Sequence, residues 1–411
     1  MFKVLFSLLF FINFLNSNQQ RGGKQGISIE TNKQDTIFKK VKFGFNIGYL
    51  GDLQTQNLFD KPLKQIEEDC ILNLRIYEPF TKNIIQHPDL VGKLLTPLVQ
   101  SGFKLLISLS NFPVDSDYTT KSNYKENEEL LKFTNRYAPA NLSDYDIFLE
   151  NFLNDLQRKD LLSSISFEIG NEPDARKYFW SSPEDFIKTA QSIKAVLLKY
   201  HQSIYCCAFT SEFANRDKQE SKKYLDLLKD AVFFKDVNLS FHFYPNNKYT
   251  VNTLSLPFSD NAIISEFNLF SYQTQKTTGK INYTNSSEFA SSLIELLQYA
   301  YEKNIKEIYF FNLVDNPKKE ASLGFFDANG NSKASYQYLM KVYSVVKDGY
   351  KMEKTNQYIK IIGKKKSIIY ALNNNMQVSL PANQKILDVY SNDMQLFNPV
   401  LKKKQWIIIG N

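Results

Sequence analysis

The sequence predicts an α/β protein: a (β/α)8 (TIM) barrel followed by a small C-terminal all-β module. Three observations carry that expectation. Strand-like and helix-like runs alternate from about residue 41 to 311. The strand-like runs are nearly continuous in apolar character, as strands covered on both faces of a parallel sheet are. From residue 350 onward the helical pattern stops and short strand-like runs remain.

The strand candidates are 41–47 (VKFGFNI), 71–77 (ILNLRIY), 103–109 (FKLLISL), 163–169 (SSISFEI), 203–209 (SIYCCAF), 237–243 (VNLSFHF), 262–266 (AIISE) and 305–311 (IKEIYFF). Helical patterns over 61–69, 88–101, 143–158, 183–199, 219–230 and 286–303 place apolar residues at intervals of three and four. Ser143-Asp144, Ser182-Pro183-Glu184 and Ser286-Ser287-Glu288 supply start signals for three of them. Between the sixth and seventh strands only a short Pro-containing connection is expected. An open doubly wound sheet is the competing architecture, and no glycine-rich phosphate loop follows any strand to support it. The domain reading is a barrel over 37–346 and a β module over 350–411, which is short enough to need the barrel beside it.

Residues 1–17 carry one Lys and then an apolar run from Val4 to Leu15, which fits a signal peptide better than a membrane span. Residues 18–36 read as a mobile polar leader. A secreted protein, or one of the endomembrane or lysosomal lumen, is expected. Sequons at Asn141, Asn282 and Asn285 agree with that compartment, while a fourth at Asn238 falls inside a strand candidate. The net charge of +7 is dispersed, and the Lys runs at 364–366 and 402–404 read as solvated turns, so no nucleic-acid partner is expected. Cys70, Cys206 and Cys207 lack metal-type spacing. Buried free thiols are expected of them, with one disulfide from Cys70 as the alternative.

Barrel enzymes carry their chemistry at the carboxyl ends of strands. The fourth strand ends in FEIGNEPD, where Pro173 breaks both ladder and helix and leaves Glu172 at the lip of the sheet. The seventh ends in IISEFN, with Glu266 at the matching position. One such glutamate is explained well enough by a loop salt bridge. Two, facing across one mouth, are the equipment for cleaving a glycosidic bond, with an ionised nucleophile raising the pKa of the partner acid.

These residues resemble the retaining glycoside hydrolases of clan A over about residues 40–340. The resemblance implies that Glu172 is the acid/base and Glu266 the nucleophile, that Arg75 (NLRIY) keeps Glu266 ionised, and that Asn171 binds the sugar 2-hydroxyl. His242 and Tyr244 (FHFYP) look like the clan's His-X-Tyr, whose tyrosine bonds the nucleophile. SLGFFDANGNSKASYQYL, residues 322–339, is similar to the clan's closing segment. Many members end the eighth strand in Trp; here Phe311 stands there, and Trp180 is a candidate stacking surface. Asn46, Asn111 and Asn268 are near strand ends and are left without a role.

The resemblance further implies a β-glycosidic oligosaccharide, polysaccharide or glycoconjugate as substrate, and no cofactor or metal. Families 39, 79, 30 and 51 share the barrel-plus-β-module plan, and EIGNEPD looks a little like family 79. Two other functions fit the same chain. A carbohydrate-binding barrel without catalysis would need neither glutamate, and a transglycosylase would use both.

Overall fold

The structure is a computed structural model of the 411-residue chain. It describes residues 27–28, 38–49, 58–77, 89–109, 138–139, 141–175, 179, 181–211, 219–230, 232–245, 250–254, 262–269, 286–315, 324–381, 384–389 and 399–410. The segment read as a signal peptide, Trp180, Asn111 and the sequons at Asn282 and Asn285 lie outside them.

Eight strands close a parallel barrel: β1 (Lys42–Tyr49), β2 (Asn73–Tyr77), β3 (Lys104–Leu109), β4 (Ile165–Ile169), β5 (Ile204–Phe209), β6 (Asn238–Phe243), β7 (Ile263–Phe267) and β8 (Glu307–Phe310). β8 pairs back onto β1, with Gly44 opposite Tyr309. Gly44 is required there, because a Cβ would lie 2.6 Å from the Tyr309 ring inside the barrel. Around the barrel run α1 (Asp60–Glu68), α2 (Asp89–Gln100), α3 (Leu142–Arg158), α4 (Pro183–Lys199), α5 (Gln219–Asp230), α6 (Ser286–Lys303) and α7 (Ala334–Val346). Every barrel strand coincides with its predicted run to within two residues at each end. Between β6 and β7 the described residues hold only a 3-10 turn, Val251–Thr253.

Start signals act as expected at α4, where Ser182 and Asp185 form a reciprocal capping box ahead of Pro183. At α3 the cap is Asn141, two residues before the predicted start, and its side chain accepts the Ser143 N–H. That sequon asparagine is exposed.

Beyond the barrel, β9 (Tyr350–Lys354), β10 (Tyr358–Gly363), β11 (Lys366–Ala371), β12 (Met376–Ser379), β13 (Ile386–Val389), β14 (Val400–Leu401) and β15 (Trp406–Gly410) follow. Five of them form an antiparallel sheet in the order β9-β10-β11-β15-β13. One face of that sheet (Ile359, Ile361, Ile368, Tyr370, Trp406, Ile408) joins the barrel's own core. The other face packs Ile369, Ile407 and Ile409 on Met376, Val378 and Leu401. A side chain of this size contributes roughly 1.5–3 kcal/mol on full burial, so the module is fastened to the barrel by its inner face.

Two expectations are corrected. Ile27–Ser28, inside the stretch read as a mobile leader, forms a short strand parallel to β12, supplying an edge partner in the small sheet. The cysteines are not three buried thiols. Cys206 and Cys207 are bonded to each other within β5, and Cys70 is the exposed free thiol at the end of α1.

Candidate active site

Strand alternation sorts the barrel residues into two sets. In β2, Leu74 and Ile76 face the helices, so Arg75 points into the barrel; in β4, Phe167 and Ile169 do the same and turn Glu168 inward. β6 places Ser240 and His242 inside by the same rule.

β7 does not obey it. Phe241 stands opposite Ile264, but the next residue, His242, stands opposite Glu266. Ser265 is therefore a bulge residue, and it rephases the strand so that Glu266 faces the interior beside His242. A similar irregularity in β5 places Cys207 and Ala208 against the single residue Ser240.

Glu172 arrives by a tight path. Gly170 and Glu172 both have positive φ, 86° and 48°, on either side of Asn171. The left-handed conformation costs an L-residue about 1–2 kcal/mol, and the backbone here holds it in place. The Glu172 N–H donates to the Ala208 carbonyl at 2.9 Å, and the Ala208 N–H donates to Ser240 Oγ at 2.9 Å. Just beyond, the Asp174 carboxylate accepts from the Thr210 N–H at 3.1 Å and hydroxyl at 2.6 Å. Burial pushes the Asp174 carboxyl up to about 6. The Tyr224 hydroxyl donates to the Pro173 carbonyl at 2.7 Å.

Arg75 is the hub. It is fully buried, and each of its three nitrogens donates at least one hydrogen bond. Nε and Nη2 reach Glu168 Oε2 at 2.6 and 2.5 Å. Nη1 donates to Glu266 Oε1 at 2.8 Å and to Asn46 Oδ1 at 2.9 Å. Nη2 also donates to Asn171 Oδ1 at 3.1 Å. The Tyr77 ring lies 4.4 Å from the guanidinium carbon. Glu266 takes a second, short hydrogen bond on Oε2 from the Tyr244 hydroxyl.

His242 stands between the two candidate carboxylates. Its Nδ1 is 2.8 Å from Glu172 Oε1, and its Nε2 is 3.3 Å from Glu266 Oε1 without hydrogen-bond alignment. Burial and the nearby Arg75 charge hold this imidazole well below its ordinary range, so it is neutral at pH 7.

The electrostatics differ from expectation in one respect. The sequence reading puts the raised pKa on Glu172 and keeps Glu266 ionised through Arg75. Burial instead lifts Glu266 to about 7, with Arg75 only partly offsetting the loss of water.

Of the predicted site residues, Glu172, Glu266, Asn171, Arg75, His242 and Tyr244 come together in one network. Phe311 forms an aromatic wall, its ring edge-on to Tyr77 at 6.5 Å and to Tyr244 at 6.3 Å. Asn46 and Asn268 are spent on the protein itself: Asn46 donates to the Ser265 carbonyl at 3.0 Å, and Asn268 donates to the Phe311 carbonyl. Among the described residues no group of three His, Cys, Asp or Glu side chains could hold a metal ion.

Sequence reasoning missed Glu168 and Tyr77. A signal for Glu168 existed: a lone charge in phase with the inward face of a buried strand needs a cation, and Arg75 has the same phase in β2.

No family model and no curated protein matches the sequence. Solved structures do match in fold. The chain is similar to a family 39 glycoside hydrolase from Bacteroides cellulosilyticus WH2 (TM-score 0.62, 11% identity, 90% of this chain and 81% of that one). It is also similar to a family 39 β-xylosidase from Caulobacter crescentus (TM-score 0.59, 13% identity, 91% and 96%). A family 30 subfamily 8 xylanase from Clostridium acetobutylicum matches as well (TM-score 0.56, 12% identity, 91% and 97%). What these likenesses define is the architecture, a (β/α)8 barrel with an attached β module, and it is the fold the sequence resemblance implies.

Proposed function

We propose that the protein is a secreted retaining β-glycoside hydrolase, with Glu266 as nucleophile and Glu172 as acid/base. One observation carries the reading: two strand-end carboxylates meet opposite nitrogens of one neutral imidazole, and one of them is also gripped by a buried arginine and a tyrosine. A binding barrel has no use for a carboxylate so held.

In the first step a lone pair of ionised Glu266 attacks the anomeric carbon, and the bond to the leaving oxygen breaks as Glu172 gives that oxygen its proton. Glu172, now a carboxylate, takes a proton from water. That water's oxygen attacks the anomeric carbon, and Glu266 leaves with its bonding pair. Two inversions return the starting configuration.

Arg75 and Tyr244 each bond a separate oxygen of Glu266, fixing the direction of attack. With its Oδ1 turned to Arg75, Asn171 keeps its amide N–H groups as donors for the 2-hydroxyl. His242, neutral, holds Glu172 without adding a charge that would strip the acid of its proton. The N-terminal apolar run and the exposed sequon at Asn141 support export and glycosylation.

The test uses purified wild type and Glu266→Gly on aryl β-glycosides, with and without azide. Xyloside leads the panel because two structural neighbours are a β-xylosidase and a xylanase; glucoside, glucuronide, galactoside and mannoside follow. Turnover by wild type, its loss in the variant, and rescue yielding an inverted glycosyl azide are expected. Glycan binding without turnover would replace this reading with the binding barrel, and sugar products formed only with an added acceptor sugar would replace it with a transglycosylase.

A further inference from the structure

Arg75 serves two buried carboxylates, and the glycosidase mechanism uses only Glu266. Glu168 is entirely buried in the middle of β4, four residues before Glu172. The hydrogen bond from Arg75 Nε and the ion-pair contact with Nη2 both converge on Oε2, and Oε1 makes no hydrogen bond to the protein. That one-sided grip fixes the lower edge of the guanidinium. Its other three N–H groups are then aimed at Asn46, Glu266 and Asn171.

We propose that Glu168 is a positioning residue: it holds Arg75 under the nucleophile and Asn171, and it takes a share of the single positive charge that would otherwise fall wholly to Glu266. The assignment of a chemical role to this pair rests on reading Glu266 as the nucleophile. The consequence is a nucleophile that is firmly held yet not over-stabilised as an anion. An arginine devoted to Glu266 alone would lower its basicity and with it its attack on carbon.

The charges around the pair are few. Arg75 comes from β2 and neutral His242 from β6. The phenols of Tyr205 and Tyr309 face Glu168 from β5 and β8, with Glu307 behind Tyr309, and burial keeps both phenols protonated. Tyr244 caps Glu266 from beyond β6. Arg75 is thus the group through which a change at Glu168 reaches Glu266.

The test is a pH titration followed by NMR of protein carrying ¹³C-labelled glutamate carboxyls, with Glu266→Gln identifying the Glu266 signal. In Glu168→Gln the Glu266 midpoint is expected to fall by about one pH unit or more, since the whole cation now faces one anion. Glu168→Asp, which keeps the charge, should stay near wild type. An unmoved or raised midpoint in Glu168→Gln would overturn the proposal. Should that variant not fold, Glu168→Asp carries the test: a Glu266 midpoint near wild type sustains the proposal, and one displaced by about a unit or more overturns it. The acid limb of kcat/KM should follow the same displacement. A wild type inactive on every glycoside would remove the glycosidase reading and leave the titration to judge Glu168.

Discussion

Replacing Glu266 with Gln should stabilise the folded protein, and by an amount that grows with pH. The residue is only 5% exposed, and its folded-state pKa is about 7 against an ordinary 4.5. The folded chain therefore binds this proton more tightly than the unfolded chain does. Below about pH 4 both states are protonated, and Gln, a near-isostere of the neutral acid, should be close to neutral in effect. As pH rises from 4.5 the unfolded carboxyl ionises first, and the wild type loses stability until the folded carboxyl ionises as well. A gap of about 2.5 pH units at 1.36 kcal/mol each gives about 3 kcal/mol in favour of Gln at pH 8. Urea unfolding of both proteins from pH 4 to pH 8, extrapolated to water, reads this directly. A difference that stays flat across that range, or that favours the wild type at pH 8, would refute the claim that burial outweighs Arg75 at Glu266. The same titration predicts a kcat/KM that rises with pH through about 7, because only the ionised form attacks.

Three further outcomes follow from the geometry. Glu172→Gly should cut kcat by about 10²–10⁴ on substrates with poor leaving groups. It should cost little stability, because glycine accepts the φ of 48° without penalty; kinetics and melting temperature check the two halves. Arg75→Lys replaces five fixed donors by three on a point charge, and breaking buried pairs of this kind costs about 3–5 kcal/mol. A large fall in melting temperature with loss of turnover is expected, and retention of both would contradict the hub assignment. Thiol titration should find one reactive group in the native protein, Cys70, and three after reduction and denaturation. Three without reduction would show Cys206 and Cys207 to be free.

Much of the fold was legible in the sequence because its signals are local. Strands covered on both sides must be apolar throughout, and that is how β2 through β8 read. Pro173 marks the end of a strand by removing a donor, and Ser182-Pro183 opens α4 by capping it, with no help from distant residues. The two glutamates were found by the same logic, as charges at the ends of apolar runs.

What depended on partners was not legible. Simple alternation along IISEF would direct Glu266 the same way as Ile264, toward the helices; the bulge at Ser265, set by pairing with β6, turns it inward beside His242. Asn46 and Asn268 have the side chains of sugar ligands, and only their neighbours show that backbone carbonyls already take their amides. The vicinal bond between Cys206 and Cys207 and the strand at Ile27–Ser28 likewise need contacts that composition does not encode. Local pattern alone marked Glu172 and Glu266 as charges standing at the ends of apolar strands. Closure of the barrel decided how one guanidinium is divided between two carboxylates, and how far burial lifts Glu266. Those are sums over groups from strands far apart in the chain, and only closing the barrel brings them within reach of each other.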